Sequence, residues 1–173
     1  MRVVRTHEEL EAVAVEAYGP YAAVSVPEVV ALAREIRAMR RGIATLAARS
    51  ACGRTVRYAQ RVLARDALGV DGGTGRDALG QPLRPLPWIE HALRGAGGER
   101  AAVTPAELRA LVAECRRLGR AIDEISARSR CARSRDFAQR VLASAGTAGT
   151  GQARPLSCSR KVGTSTLRAV VGE

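Results

Sequence analysis

Apolar residues return along this chain every three to four positions, and three of the runs open on a hydroxyl residue followed three places later by glutamate: Thr6 with Glu9, Ser25 with Glu28 and Thr104 with Glu107. That spacing lets the hydroxyl accept from a free amide of the first turn while the carboxylate reaches back to the cap, so each pair predicts a helix start. Behind the first lie Leu10, Val13, Ala14 and Ala17, ended by Gly19-Pro20. Behind the second, Val29, Leu32, Ala33, Ile36 and Met39 form one stripe, with Arg34, Arg37, Arg40 and Arg41 turned away from it. Behind the third come Leu108, Leu111, Val112, Cys115 and Leu118, with Pro105 at the favoured first helical position. Gly42 and Gly119 interrupt these patterns, which predicts separate short helices over Ile43–Arg49 and Ile122–Arg128. A compact turn, Ser50 to Gly53 or Ser129 to Ala132, then leads into a last helix of about a dozen residues.

The same sequence is written twice. Ala48 to Ala64 recurs 79 residues later as Ala127 to Ala143, and upstream the offset pairs Glu28 with Glu107, Leu32 with Leu111, Glu35 with Glu114, Arg37 with Arg116 and Ile43 with Ile122. Positions shared by two copies report the scaffold both must build, and positions that differ report what each copy does separately. The expected class is all-α, with two duplicated small helical units. Each has a leading helix, a longer helix and a helix-turn-helix pair. The units are expected over 1–68 and 87–145, joined by a linker over 69–86 rich in glycine and proline and followed by a flexible basic tail over 146–173. The tail includes a candidate short strand near Leu167 to Val171. Trp88, in a short helix begun by Pro87, is the expected buried anchor of the second unit.

Of the 173 residues only one Trp, one Phe and three Tyr are aromatic, so Ala, Val and Leu must fill the cores. Cys52, Cys115, Cys131 and Cys158 show no CxxC spacing and His7 and His91 stand alone, so no metal site and no cofactor is expected from spacing. The thiols read as small buried side chains in a reducing compartment. No leader is evident and no apolar run approaches the roughly 20 residues of a membrane span, so a cytoplasmic protein with no membrane partner is expected.

Charge changes the picture. Of the net +11, residues 26–66 carry +6 and residues 104–145 carry +4, so the duplicated cores hold nearly all of it. A cationic excess confined to particular units is the footprint of a polyanion binder. At 100° per residue from Arg54, the side chains of Tyr58, Ala59, Val62 and Leu63 share one arc, while Arg54, Arg57, Arg61 and Arg65 share the opposite one. In the second copy Phe137, Ala138, Val141 and Leu142 take the apolar arc, and Arg133 and Arg140 the polar one.

A short helix, a tight turn and a helix with a basic outer face, over Ile43–Leu63 and again over Ile122–Leu142, resembles the helix-turn-helix of DNA-binding regulators. The resemblance implies that the helix after each turn enters the major groove of double-stranded DNA and reads base edges near its start. The candidate DNA-binding residues are Arg49, Arg54, Thr55, Arg57, Gln60 and Arg61 in the first copy. In the second they are Arg128, Arg130, Arg133, Ser134, Arg135, Asp136, Gln139 and Arg140. Shared arginines suit phosphate contacts, and the divergent pairs Ala51/Arg130, Val56/Arg135 and Arg57/Asp136 suit base readout that differs between two half-sites. The expected function is a sequence-specific DNA-binding regulator of transcription, with homo-oligomerisation left open. The alternatives are a plasmid or phage DNA-maintenance protein and a helical interaction module, scaffold or antitoxin-like, whose arginines are simply solvated. Adjacent carboxylates occur only at Glu8-Glu9 and Asp123-Glu124, both in expected helices, and no glycine-rich loop follows a strand, so no enzyme is expected.

Overall fold

A computed structural model describes residues 5–70, 75–76, 80–95 and 99–145, with helical backbone continuing to 149. Six helices make up almost all of it: α1 His7–Val15, α2 Val26–Arg49, α3 Gly53–Ala64, α4 Leu86–Gly95, α5 Pro105–Arg128 and α6 Ala132–Gly149. A two-residue antiparallel hairpin, β1 Gly75–Arg76 with β2 Pro82–Leu83, is the only sheet among the described residues. The all-α class is as expected.

The helix starts follow the capping logic. Thr6 and Thr104 accept from the amides of Glu9 and Glu107, and those carboxylates return to the cap amides at 2.6 and 2.9 Å. Glu28 does the same to Ser25 at 2.8 Å. Offset by 79 residues, the starts of α1, α2 and α3 fall on those of α4, α5 and α6.

The expected break at Gly42 and Gly119 does not occur: α2 and α5 are each continuous over 24 residues. Neither glycine has a positive φ. Gly42 lies where α6 crosses, and a Cβ there would stand 2.6 Å from a methyl of Val141, so the residue is a point of close helix approach. The short helices expected at Ile43–Arg49 and Ile122–Arg128 are the last turns of these long helices. α6 likewise runs on through Gly146–Gly149, where a flexible joint is expected from composition. The candidate strand at Leu167–Val171 and the rest of the basic tail lie outside the described residues.

The repeats share one core. Leu32, Ile36, Met39 and Ile43 of α2 and Leu108, Leu111, Leu118 and Ile122 of α5 belong to a single buried cluster that also takes in α1, α3, α4 and α6. Contacts between repeats come in matched pairs. The Ala22 amide donates to the Val103 carbonyl at 2.8 Å, and the Ala101 amide to the Val24 carbonyl at 2.9 Å. Arg37 bonds Glu90 of the other repeat's leading helix at 2.5 and 2.8 Å, and Arg116 pairs with Glu11. Ser50 Oγ meets Ser134 Oγ at 3.0 Å, and the Thr55 hydroxyl donates to Ser129 Oγ at 3.3 Å. Each pair maps onto the other at offset 79. The first pair joins the approaches to α2 and α5, the last joins their far ends, so both long helices run in the same direction through the molecule.

Where a flexible linker is expected, Gly69, Val70 and Leu86 are buried and the β1–β2 hairpin is formed. Trp88 is not an anchor. It is 67% exposed, and Leu86, Ile89 and Leu93 carry the buried face of α4 instead.

Candidate nucleic-acid interface

The finishing ends of α2 and α5 meet the starting ends of α3 and α6, and there the candidate residues gather. α3 begins at Gly53, with Cys52 as its cap and Ala59 and Val62 turned into the core. A 3.6-residue period then places Arg54, Arg57, Gln60, Arg61 and Arg65 outward, and all five are exposed. On α6, with Ala138 and Val141 buried, Arg133, Arg135, Asp136, Gln139 and Arg140 are exposed in the same way. Arg49, Arg128 and Arg130 stand exposed at the two turns.

Two candidates are placed otherwise. Thr55 and Ser134 are buried, 6% and 4% exposed, and bond Ser129 and Ser50 of the opposite repeat, so their hydroxyls serve the junction between repeats. Each sits three residues after its cap, on the side of the helix that packs down, which the helical wheel alone does not separate from the outward side. Arg135 turns one guanidinium nitrogen to the Ser129 carbonyl at 3.3 Å.

Between α3 and the end of α5 lies a cleft of about 410 Å³ bordered by Arg54, Arg61, Arg128 and Arg130, with Tyr58 and Glu124 on its wall. Tyr58 donates its hydroxyl to Glu124 at 2.5 Å, and Arg128 pairs with the same carboxylate at 2.6 Å. Burial, and then the Glu124 carboxylate, hold the Tyr58 hydroxyl above the usual phenol range, so it stays a neutral donor. The Arg61 guanidinium lies over the Tyr58 ring at 5.9 Å, and at offset 79 Arg140 lies over Phe137 at 5.8 Å. Both arginines rest on an aromatic face that fixes them without neutralising them. The Cys52 thiol is held below the ordinary thiol value by the hydroxyl and amide of Thr55, then by the Arg54 amide and charge; Ser134 and Arg133 do the same for Cys131. Helix amides and guanidinium groups thus stabilise negative charge at two matched points.

No family model, curated protein or solved structure matches the chain.

Several arginines elsewhere are balanced by acid, although Arg34, Arg41 and Arg120 are also exposed without a carboxylate partner among the described residues. Arg5 holds Glu28 at 2.6 Å, Arg84 holds Glu107 at 2.6 Å, Arg37 holds Glu90 at 2.5 Å, and Arg117 holds Glu114 at 2.7 Å. Among the described residues, Arg128 is the one candidate cation with a carboxylate partner. The guanidinium groups of Arg49, Arg54, Arg57, Arg61, Arg130, Arg133 and Arg140 face solvent without one, so their field extends outward. Among the described residues no helix is long and apolar enough to cross a membrane.

Sequence spacing gave no sign of a second grouping: His7, Glu35 and Cys115, from three helices, bring their ligand-type atoms within 4.8 Å of one another. The matched positions Leu86, Glu114 and Ile36 carry the only signal that could have marked it, since His7 and Cys115 replace two apolar residues of the other copy.

Proposed function

We propose that the chain binds double-stranded DNA through α3 and α6 and acts as a sequence-specific regulator of transcription. The observation that carries this reading is the pair of outward arginine rows without carboxylate partners, on matched helices of one rigid core. Three arginines recur in each copy, Arg49, Arg54 and Arg61 with Arg128, Arg133 and Arg140, and suit phosphate contacts. Arg57 and Asp136 occupy matched exposed positions with opposite charge, which suits two half-sites of different sequence. Because one polypeptide presents both helices, the second contact follows the first at high effective concentration.

The test is fluorescence anisotropy of the full chain on a random duplex pool and on duplexes selected from it, across salt. Six phosphate contacts imply a log–log salt slope of about −5, a loss near 10³-fold between 50 and 200 mM. Arg61→Ala with Arg140→Ala should weaken every duplex and reduce the slope by about 2, whereas Arg57→Ala should alter sequence preference. Absence of any complex at 50 mM salt, or a complex indifferent to salt, refutes the proposal. The second reading, a helical interaction module, is favoured by the exposed Val15, Tyr18 and Tyr21 at the other end of the molecule. Capture of a protein partner that Tyr18→Ser abolishes, in the absence of any duplex complex, would replace the DNA reading with it.

A further inference from the structure

The matched halves of this fold allow one site to be read against its own counterpart. Glu114 of α5 is 2% exposed and well compensated: Arg117 bonds it twice at 2.7 Å, and Arg40 reaches it at 3.7 Å. Its counterpart Glu35 of α2 is 9% exposed, but the positions that would supply those arginines hold Ala38 and Gly119. What surrounds Glu35 instead is His7, whose Nε2 lies 3.1 Å from Oε2, and the thiol of Cys115, itself 1% exposed. In the other half, Leu86 and Ile36 fill these places. The half that has lost two arginines has therefore gained an imidazole and a thiol at the same carboxylate.

We propose that His7, Glu35 and Cys115 bind a zinc-class divalent cation. The donor set is one that zinc takes, a thiolate, an imidazole nitrogen and a carboxylate oxygen, with a fourth position left for water. His7 is half-exposed in the first turn of α1, which provides an entry path from solvent. The charges close: the cation brings two positive charges to one carboxylate and one thiolate, and the Cys115 proton, now shared with the Leu32 carbonyl at 3.7 Å, leaves to solvent. Without a cation, burial and the nearby Glu35 and Glu114 carboxylates keep that thiol protonated, well above the ordinary value. The bound ion would tie α1 of the first repeat to both long helices. This site is separate from the arginine rows and does not depend on the DNA reading.

The experiment uses the full chain with Cys52, Cys131 and Cys158 changed to Ser, leaving Cys115 as its sole thiol, stripped with a chelator and titrated with Co²⁺ and then Zn²⁺. One Co²⁺ per chain is expected, with sulfur-to-cobalt charge-transfer absorption that Zn²⁺ abolishes by displacement. Saturating Zn²⁺ should raise Tm by about 5 °C or more. His7→Leu, which copies the other half and so should fold, is expected to weaken zinc binding at least tenfold, and Cys115→Ala to remove the absorption. No stoichiometric binding, or zinc affinity unchanged in His7→Leu or in Cys115→Ala, overturns the proposal. In that case His7 and Glu35 are a hydrogen-bonded pair beside an inert thiol.

Discussion

Gly42 and Gly119 sit in the long helices at ordinary helical φ, yet alanine should have opposite effects at the two. At either position, replacing glycine inside a helix lowers the entropy lost on folding and favours the folded state by about 0.5–1 kcal/mol. At Gly119 nothing lies within 4 Å of the added Cβ, so that gain should appear in full. At Gly42 the Cβ would meet the two methyls of Val141 at 2.6 and 2.8 Å and its Cβ at 3.2 Å. Valine is stiff about χ1 and Val141 is itself packed in the core, so relief requires α6 to shift. Overpacking of this kind costs about 1–3 kcal/mol, leaving Gly42→Ala destabilised by about 1 kcal/mol and separated from Gly119→Ala by about 2 kcal/mol. With a urea slope of about 2 kcal/mol/M, the two midpoints should differ by about 1 M. Adding Val141→Ala should make the Gly42→Ala change neutral or favourable, although Val141→Ala has its own cavity cost. If Gly42→Ala stabilises as much as Gly119→Ala, the close crossing of α2 and α6 is not as described.

Glu28 is held down to about 2 by its bonds to Arg5 and to Ser25, against 4.5 ordinarily. A depressed carboxylate contributes stability above the unfolded value and loses it as pH falls, so unfolding free energy should decline between pH 4.5 and 2, and Glu28→Gln should flatten that part of the curve measured by urea titration. Cys52 and Cys131, at helix starts beside arginine, should react with iodoacetamide at neutral pH while Cys115 resists until unfolding; equal rates at the three by mass mapping would count against the local fields described. Alkylation there with iodoacetate instead, which leaves a carboxymethyl group, puts negative charge beside Arg54 and Arg133 and should weaken any duplex complex at least tenfold. Trp88, 67% exposed and the single tryptophan, should emit at long wavelength in the native state and be quenched by acrylamide nearly as freely as in urea; a blue-shifted, protected emission would place it elsewhere.

Local chemistry was well written into the chain. The caps at Thr6, Ser25 and Thr104 start helices where the hydroxyl-to-glutamate spacing indicates, and the arcs of α3 sort Arg54, Arg57 and Arg61 from Ala59 and Val62 as a 3.6-residue period requires. What a stripe cannot announce is the surface that will cover it. Leu32 and Ile36 could have been closed over by their own unit, but a three-helix unit of Ala, Val and Leu has little volume with which to do so, and the partner stripe of α5 fills the space. Gly42 illustrates the same limit, because a glycine that ends a helix and a glycine that admits a neighbouring helix look alike until the neighbour is known. Trp88 read as an anchor from its size, while Leu86 and Ile89 on the opposite side of α4 hold that place. His7 and Cys115 were invisible as a group because only the crossing of the two repeats brings them to Glu35.

The exchange of arginine and glutamate between repeats, Arg37 to Glu90 and Arg116 to Glu11, means that neither half owns a complete set of its own ion pairs. A fragment ending at Leu68 would carry half of each embrace and would have to find a twin to fold against, giving a symmetric dimer with two identical ends. Joining the halves in one polypeptide frees each to drift from the other, and the divergence of Cys115 from Ile36, of His7 from Leu86 and of Asp136 from Arg57 is what that freedom permits.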